Sequence, residues 1–288
     1  MRIAVASGKG GTGKTLVATS LALSLASAGT PVQFADCDVD APNAHLFLNP
    51  RLYGQQEVTV AVPCVDENRC TFCRRCAEVC AFKAMAVLGQ TVLIFPELCH
   101  GCGACAHFCP DAAITEEKRA IGVIEEGQAG PLAFVQGRLN LGEPLAPPVI
   151  RQVKARLRPG VTAVLDAPPG TACSVVETVK GTDFCLLVTE PTPFGLHDLE
   201  LAVEVARTLG VPAGVILNRA GIGEDAAVDE FCREQGLPLL LKIPFDRSIA
   251  QAYAQGLTLV EAQPGWREEF LRLAEAVKDR TGAQGAGR

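Results

Sequence analysis

The chain has 288 residues, 48% of them hydrophobic, enough for one α/β domain and a smaller insert. A net charge of −6 and 5% aromatic content argue against a nucleic-acid surface, which needs clustered Lys and Arg and stacking rings. No apolar run approaches the ~18 residues of a membrane span, and residues 1–6 (MRIAVA) lead straight into a glycine-rich loop, so the expectation is a cytoplasmic, soluble protein.

In chain order, residues 2–6 read as a buried strand, 14–28 as a helix ended by Gly29, and 32–36 (VQFAD) as a second strand. Residues 61–119 break the pattern: they hold nine of the thirteen cysteines, eight of them in two tight groups, in pieces too short for a βαβ unit. The Gly- and Pro-rich stretch 125–148 reads as a loop-like return path. Strands are then expected at 161–166, 184–189, 212–218 and 238–243, with helices near 171–180, 195–209 and 224–236. Trp266, Phe270, Leu273, Ala274 and Val277 share one face of a C-terminal helix, and 282–288 reads as a frayed tail. That helix's mixed charges suit docking on its own domain, not a stable membrane anchor. The fold class is α/β with a parallel sheet, formed by 1–60 and 120–288, interrupted by an α+β insert at 61–119 whose halves are about 61–90 and 91–119.

Residues 8–15 read Gly8-Lys9-Gly10-Gly11-Thr12-Gly13-Lys14-Thr15, fitting G-x-x-x-x-G-K-[ST] between a strand and a helix. Glycines let backbone N–H groups curl around phosphate oxygens, and the helix N-terminus adds its positive end. Lys14 is expected on the β- and γ-phosphates and Thr15 on Mg²⁺, making this a P-loop for ATP or ADP. A purely structural glycine turn would leave Lys14 without a partner.

Cys70, Cys73, Cys76 and Cys80 form the run C-x₂-C-x₂-C-x₃-C, repeated 29 residues later by Cys99, Cys102, Cys105 and Cys109 with Pro110 behind it. Each run is the bacterial ferredoxin spacing for a [4Fe–4S] cluster. Three close thiolates wrap three corners and the fourth crosses to the other cluster. One expected ligand set is therefore Cys70, Cys73, Cys76 and Cys109; the other is Cys80, Cys99, Cys102 and Cys105. Ala81 follows Cys80 where the second run has proline. Zinc would more simply join two C-x₂-C pairs into one tetrahedron. Two clusters could relay electrons or merely brace a small domain. Cys173, Cys185 and Cys232 read as ordinary core or helix positions, Cys64 lies outside the ligand spacing, and Cys37 reads as packing.

The string Lys9-Gly10-Gly11-Thr12-Gly13-Lys14-Thr15 resembles the deviant Walker A motif of the MinD/ParA/nitrogenase-iron-protein (SIMIBI) class, and the resemblance spans roughly residues 1–48 and 140–288. It implies ATP hydrolysis and an ATP-dependent homodimer, or a heterodimer with a related ATPase, in which Lys9 reaches the partner's nucleotide. It further implies that Asp38 orients the attacking water, Asp36 supports the Mg²⁺ shell, and Asp166 holds Mg²⁺ through water at a Walker B strand. By the same resemblance Gly170 senses the γ-phosphate, the strings Glu190-Pro191-Thr192-Pro193-Phe194-Gly195 and Asn218-Arg219 match, Asn218 contacts the adenine, Arg219 is among the ATP-binding residues, and Pro244-Phe245 lies near the base. The whole chain looks like a MinD-type P-loop ATPase containing a ferredoxin domain, which implies electron transfer with a redox partner protein under nucleotide control. Two rivals are an Mrp-like iron–sulfur carrier ATPase, whose late C-x-x-C pair is missing here, and a positioning or partition ATPase with structural clusters.

Overall fold

The computed structural model describes residues 1–285; residues 286–288 lie outside the described residues. The strands are β1 (Arg2–Ala6), β2 (Val32–Asp36), β3 (Arg51–Val65), β4 (Met85–Leu88), β5 (Thr91–Ile94), β6 (Ile114–Ala129), β7 (Leu132–Leu139), β8 (Thr162–Asp166), β9 (Phe184–Thr189), β10 (Ala213–Ala220) and β11 (Leu239–Pro244). The helices are α1 (Lys14–Ser27), α2 (His45–Leu48), α3 (Arg75–Val79), α4 (Ala104–His107), α5 (Ala146–Ala155), α6 (Cys173–Val179), α7 (Pro193–Thr208), α8 (Asp225–Glu234), α9 (Arg247–Ala254), α10 (Leu259–Ala262) and α11 (Trp266–Gly285).

Two compact units divide the chain: Met1–Gln55, Ile124–Arg138 and Ile150–Arg288 form the first, Gln56–Val123 and Leu139–Val149 the second. In the first, β11-β10-β9-β1-β8-β2-β7 run side by side in a sheet that β6 and β3 extend. The neighbouring pairs from β11 to β7 are parallel, with β1 between β8 and β9 and Asp36 in register with both Asp166 and Gln136. Such strands are buried on both faces and so are continuously apolar. One face packs on α1 and α11 through Leu16, Leu21, Phe270 and Val277, the other on α6, α7 and α8 through Val175, Leu199 and Val228.

Three expectations need correction. The stretch 125–148 is not a loop: β6 and β7 are long strands turning at Gly130-Pro131, with Gly130 at φ 54. Its glycines have strand reasons, since a Cβ at Gly127 would meet the Arg51 carbonyl oxygen at 2.8 Å. The same stretch ends inside α5, whose Pro147 and Pro148 fall in the first turn, where a helix needs no N–H donor. Finally, α11 continues through 282–285 as helix, and the rest of the expected frayed tail, 286–288, is outside the described residues.

In the second unit β4 and β5 form an antiparallel hairpin, Met85 opposite Ile94, beside the short helices α3 and α4. Around the cysteines one buried apolar cluster is small: Cys76, Met85, Val87 and Ile114.

Candidate functional site

The C-terminal ends of β1, β2, β8, β10 and β11 converge on a cavity of about 380 Å³, where open parallel sheets bind ligands. Gly10, Gly11, Gly13, Lys14, Thr15, Asp38, Asn218, Arg219 and Pro244 line it, together with Asn43, Pro169, Phe245, Asp246 and Tyr253. Gly8, Lys9, Thr12, Asp36 and Asp166 stand behind or beside this lining.

The loop after β1 is held by its neighbours. Gly13 caps α1 at φ 99, and a Cβ there would lie 2.2 Å from Asn218 Nδ2, so this position needs glycine twice over. Asn218 Nδ2 donates to the Thr12 carbonyl at 2.7 Å, and Arg219 donates to the Gly11 carbonyl at 3.0 Å. Asn218 and Arg219 thus brace the loop itself. Arg219 also donates to Glu190 Oε2 at 2.8 Å, and the other oxygen of that carboxylate pairs with Lys9. Burial alone pushes Glu190 up, but Lys9 and Arg219 more than offset it and hold the carboxyl below its ordinary range.

Asp166 and Asp38 act on Lys14, and Asp36 lies close to both of them. Thr15 Oγ1 donates to Asp166 Oδ2 at 2.6 Å, and Asp166 Oδ1 is buried without a hydrogen-bond partner. Asp36 accepts the backbone N–H groups of Asp38 at 3.1 Å, Asn43 at 3.1 Å and Ala44 at 3.0 Å, which fixes the loop after β2. Burial raises all three carboxyls: Asp38 reaches about 6, with Asp40 adding to the rise against the pull of Lys14, while Asp36 and Asp166 are both driven upward, with repulsion from neighbouring carboxylates adding to burial. Burial lowers Lys14, opposed by Asp166 and Asp38. A nest of desolvated carboxylates with an orphaned oxygen, beside a threonine hydroxyl, is a donor set that fits a hard divalent cation such as Mg²⁺.

The second unit gathers the cysteines. Cys70, Cys73, Cys76 and Cys109 line one small cavity; Cys80, Cys99, Cys102 and Cys105 line another. Backbone N–H groups point at sulfur from Phe72 to Cys70 at 3.4 Å, Ala84 to Cys80 at 3.2 Å and Ala113 to Cys109 at 3.3 Å. Left-handed residues recur at matching places in the two runs: Phe72, Arg74 and Lys83 at φ 56, 66 and 56, and Gly101, Gly103 and Ala112 at φ 66, 72 and 47. None of the thirteen cysteines forms a disulfide. Among the described residues no three His, Cys, Asp or Glu side chains are grouped as ligands of a single metal ion. Thiolates around a cubane bind different irons at separate corners, so they stand farther apart than the ligands of one ion. Cys37, Cys185 and Cys232 are buried, Cys173 is exposed at the start of α6, and Cys64 is half-buried.

Residues 3–260 match the family described as the CobQ/CobB/MinD/ParA nucleotide binding domain. The chain belongs to that family. Two uncharacterized Methanocaldococcus jannaschii proteins are 31% identical to it: MJ0579, over 89% of this chain and 90% of its own length, and MJ0578, over 97% of each. A protein named iron-sulfur cluster carrier protein, from Pyrococcus horikoshii, is 25% identical over 95% of this chain and 84% of its own. Among solved structures, the septum site-determining protein MinD of Pyrococcus horikoshii with Mg-ADP superposes with a TM-score of 0.58 at 22% identity, covering 98% of this chain and 97% of that one.

As a member of the CobQ/CobB/MinD/ParA family, the chain has a nucleotide cavity where its sheet provides one. Sequence reasoning missed Glu190 as the anchor of Lys9 and Arg219. It also missed Asn43, whose Oδ1 is buried without a partner, and Tyr253, which stacks on Phe47 with ring centroids 4.5 Å apart. The string Glu190-Pro191-Thr192 after a strand was the only local hint of the first. No described helix is long and apolar enough to cross a membrane.

Proposed function

We propose that this protein is an ATPase whose second unit carries two [4Fe–4S] clusters, and that the nucleotide state of the first unit governs electron transfer through the second. The observation that carries it is the sorting of eight cysteines into two cavities of four, each combining three from one run with the fourth from the other. That is the crossed pattern of two-cluster ferredoxins, with backbone N–H groups already directed at sulfur. When bound, the clusters would accept and release single electrons. Their thiolates would also brace the short helices and the hairpin around them.

For hydrolysis, Lys14 neutralises charge on the β- and γ-phosphates, and the glycine-lined loop offers its N–H groups to them. Thr15 and Asp166 would hold Mg²⁺, which would neutralise phosphate charge, with Asp36 supporting the loop that carries Asp38. Asp38 holds the water that attacks the γ-phosphorus; the bond to the bridging oxygen breaks, leaving ADP and phosphate. Pro244, Phe245 and Tyr253 offer an apolar wall for the base. Lys9, once released from Glu190, is the contact made to the nucleotide of a second ATPase subunit in an ATP-dependent dimer. Anaerobic stopped-flow measurement of electron transfer to and from the loaded protein, with and without Mg-ATP, tests the coupling. Transfer rates that ignore the nucleotide would refute it.

The similarity to iron-sulfur cluster carrier proteins favours a second reading, in which the clusters are cargo. It differs in outcome: cargo clusters move intact to an apo-acceptor within minutes, whereas resident ones stay through a desalting step.

A further inference from the structure

We propose that the cationic rim of the Cys70–Cys73–Cys76–Cys109 cavity is the docking surface for an acidic electron-carrier protein, and that electrons cross the protein surface there, not at the other cavity. This inference rests on the two-cluster reading. The two cysteine runs share a backbone but not a surface. The left-handed position one residue after the second cysteine is Arg74 in the first run, at φ 66, and Gly103 in the second, at φ 72. The next residue is Arg75 in the first run and Ala104 in the second. Glycine suits that backbone without strain, and the second run uses it; arginine there is disfavoured. A strained charged residue kept beside a cofactor cavity points to a use for the charge.

The surroundings agree. Cys73, Arg74 and Arg75 are all exposed, and the Arg75 guanidinium lies 6.0 Å from the ring centroid of Phe108, itself half-exposed. Arg75 also pairs with the exposed Glu78, at 3.5 Å. The acidic residue of this lining, Asp111, accepts from Thr71 Oγ1 at 2.6 Å, and its carbonyl accepts from Arg69 at 3.2 Å, which adds a third cation nearby. At the other cavity the charge is reversed: Glu116 lies in the lining, and a Cβ at Gly103 would meet its carboxylate at 3.3 Å. In a chain of net charge −6, an anionic partner is repelled by most of the surface and drawn to this rim. An exposed aromatic flanked by arginines is the composition of an interface centre. Each encounter moves one electron: the carrier is oxidised by one and the chain's oxidised cluster is reduced by one, with no bond broken.

The test uses the full, cluster-loaded chain and a prereduced acidic bacterial ferredoxin as probe, mixed anaerobically at low and high salt. Arg74→Gly/Arg75→Ala installs the residues the second run itself uses, Arg75→Glu reverses one exposed charge without touching the left-handed residue, and Glu116→Gln alters the other rim. Both arginine variants should lose about tenfold in the second-order reduction rate at low salt, with a flattened salt dependence. They should also bind the oxidised probe more weakly, a readout that needs no turnover. Glu116→Gln should match the unaltered protein or exceed it. Variants holding both clusters yet reduced and bound as fast as the unaltered protein overturn the docking face alone. Protein with no clusters, or clusters that no donor reduces, overturns the two-cluster electron-transfer reading and this inference with it.

Discussion

Replacing Asp38 with asparagine should stabilise the nucleotide-free protein at pH 8 while abolishing ATP hydrolysis. Burial raises the Asp38 carboxyl from 3.8 to about 6, against the pull of Lys14. At about 1.36 kcal/mol per pH unit, that is a ceiling of about 3 kcal/mol against the ionised form. Asp38 is only half-buried, so solvent screening reduces this to about 1 kcal/mol. The sign follows from proton uptake. The folded protein binds the Asp38 proton more tightly than the unfolded chain, so the stabilising contribution is complete below pH 4 and is lost as pH rises through about 6. An asparagine at this position cannot ionise and escapes that loss. In magnesium-free buffer, thermal melts should show the variant roughly 2–4 °C above the unaltered protein at pH 8, with the gap closing towards pH 4. Added Mg²⁺ should also narrow the gap, by offsetting the carboxylate charge. A variant less stable at pH 8, or a gap independent of pH, would refute the reasoning about this nest.

Glu190→Gln should release Lys9 and Arg219 from their shared carboxylate; ATP-dependent dimers should then appear at lower protein concentration in analytical ultracentrifugation, and an unchanged or weakened dimer would count against Lys9 as the intersubunit contact. Gly13→Ala forces a Cβ into the space of Asn218 Nδ2 at a residue with φ 99, so the affinity for a fluorescent ATP analogue should fall at least about tenfold, or 1.4 kcal/mol; unchanged affinity would mean that the loop's shape does not govern binding.

Much of the first unit was legible because its strands are short, apolar and buried on both faces. Arg2–Ala6, Val32–Asp36 and Phe184–Thr189 fall where the apolar runs lie. The strands β3 and β6 were not legible. Their sequences alternate with charged and polar residues, and Gly127 and the Gly130-Pro131 turn read as loop when they in fact mark close approach and reversal. Proline misled again at α5, where position within the first turn reverses its meaning. In the nucleotide cavity, Lys14 and Thr15 could be named from the motif between β1 and α1, and Asp38, after β2, from the family resemblance. The Lys9–Glu190–Arg219 network could not, because its members lie 181 and 29 residues apart and meet only when β1, β9 and β10 align. The unequal rims of the two cysteine cavities were present in the letters, Arg74-Arg75 against Gly103-Ala104. They acquire a meaning only once both positions share one left-handed backbone.

The most direct test of the account is the iron and acid-labile sulfide content of the folded chain purified without oxygen. The account predicts about eight of each per chain, falling to about four when Cys73 is changed to serine, in protein that still binds adenine nucleotide. Folded, nucleotide-binding protein that is colourless and iron-poor would contradict it.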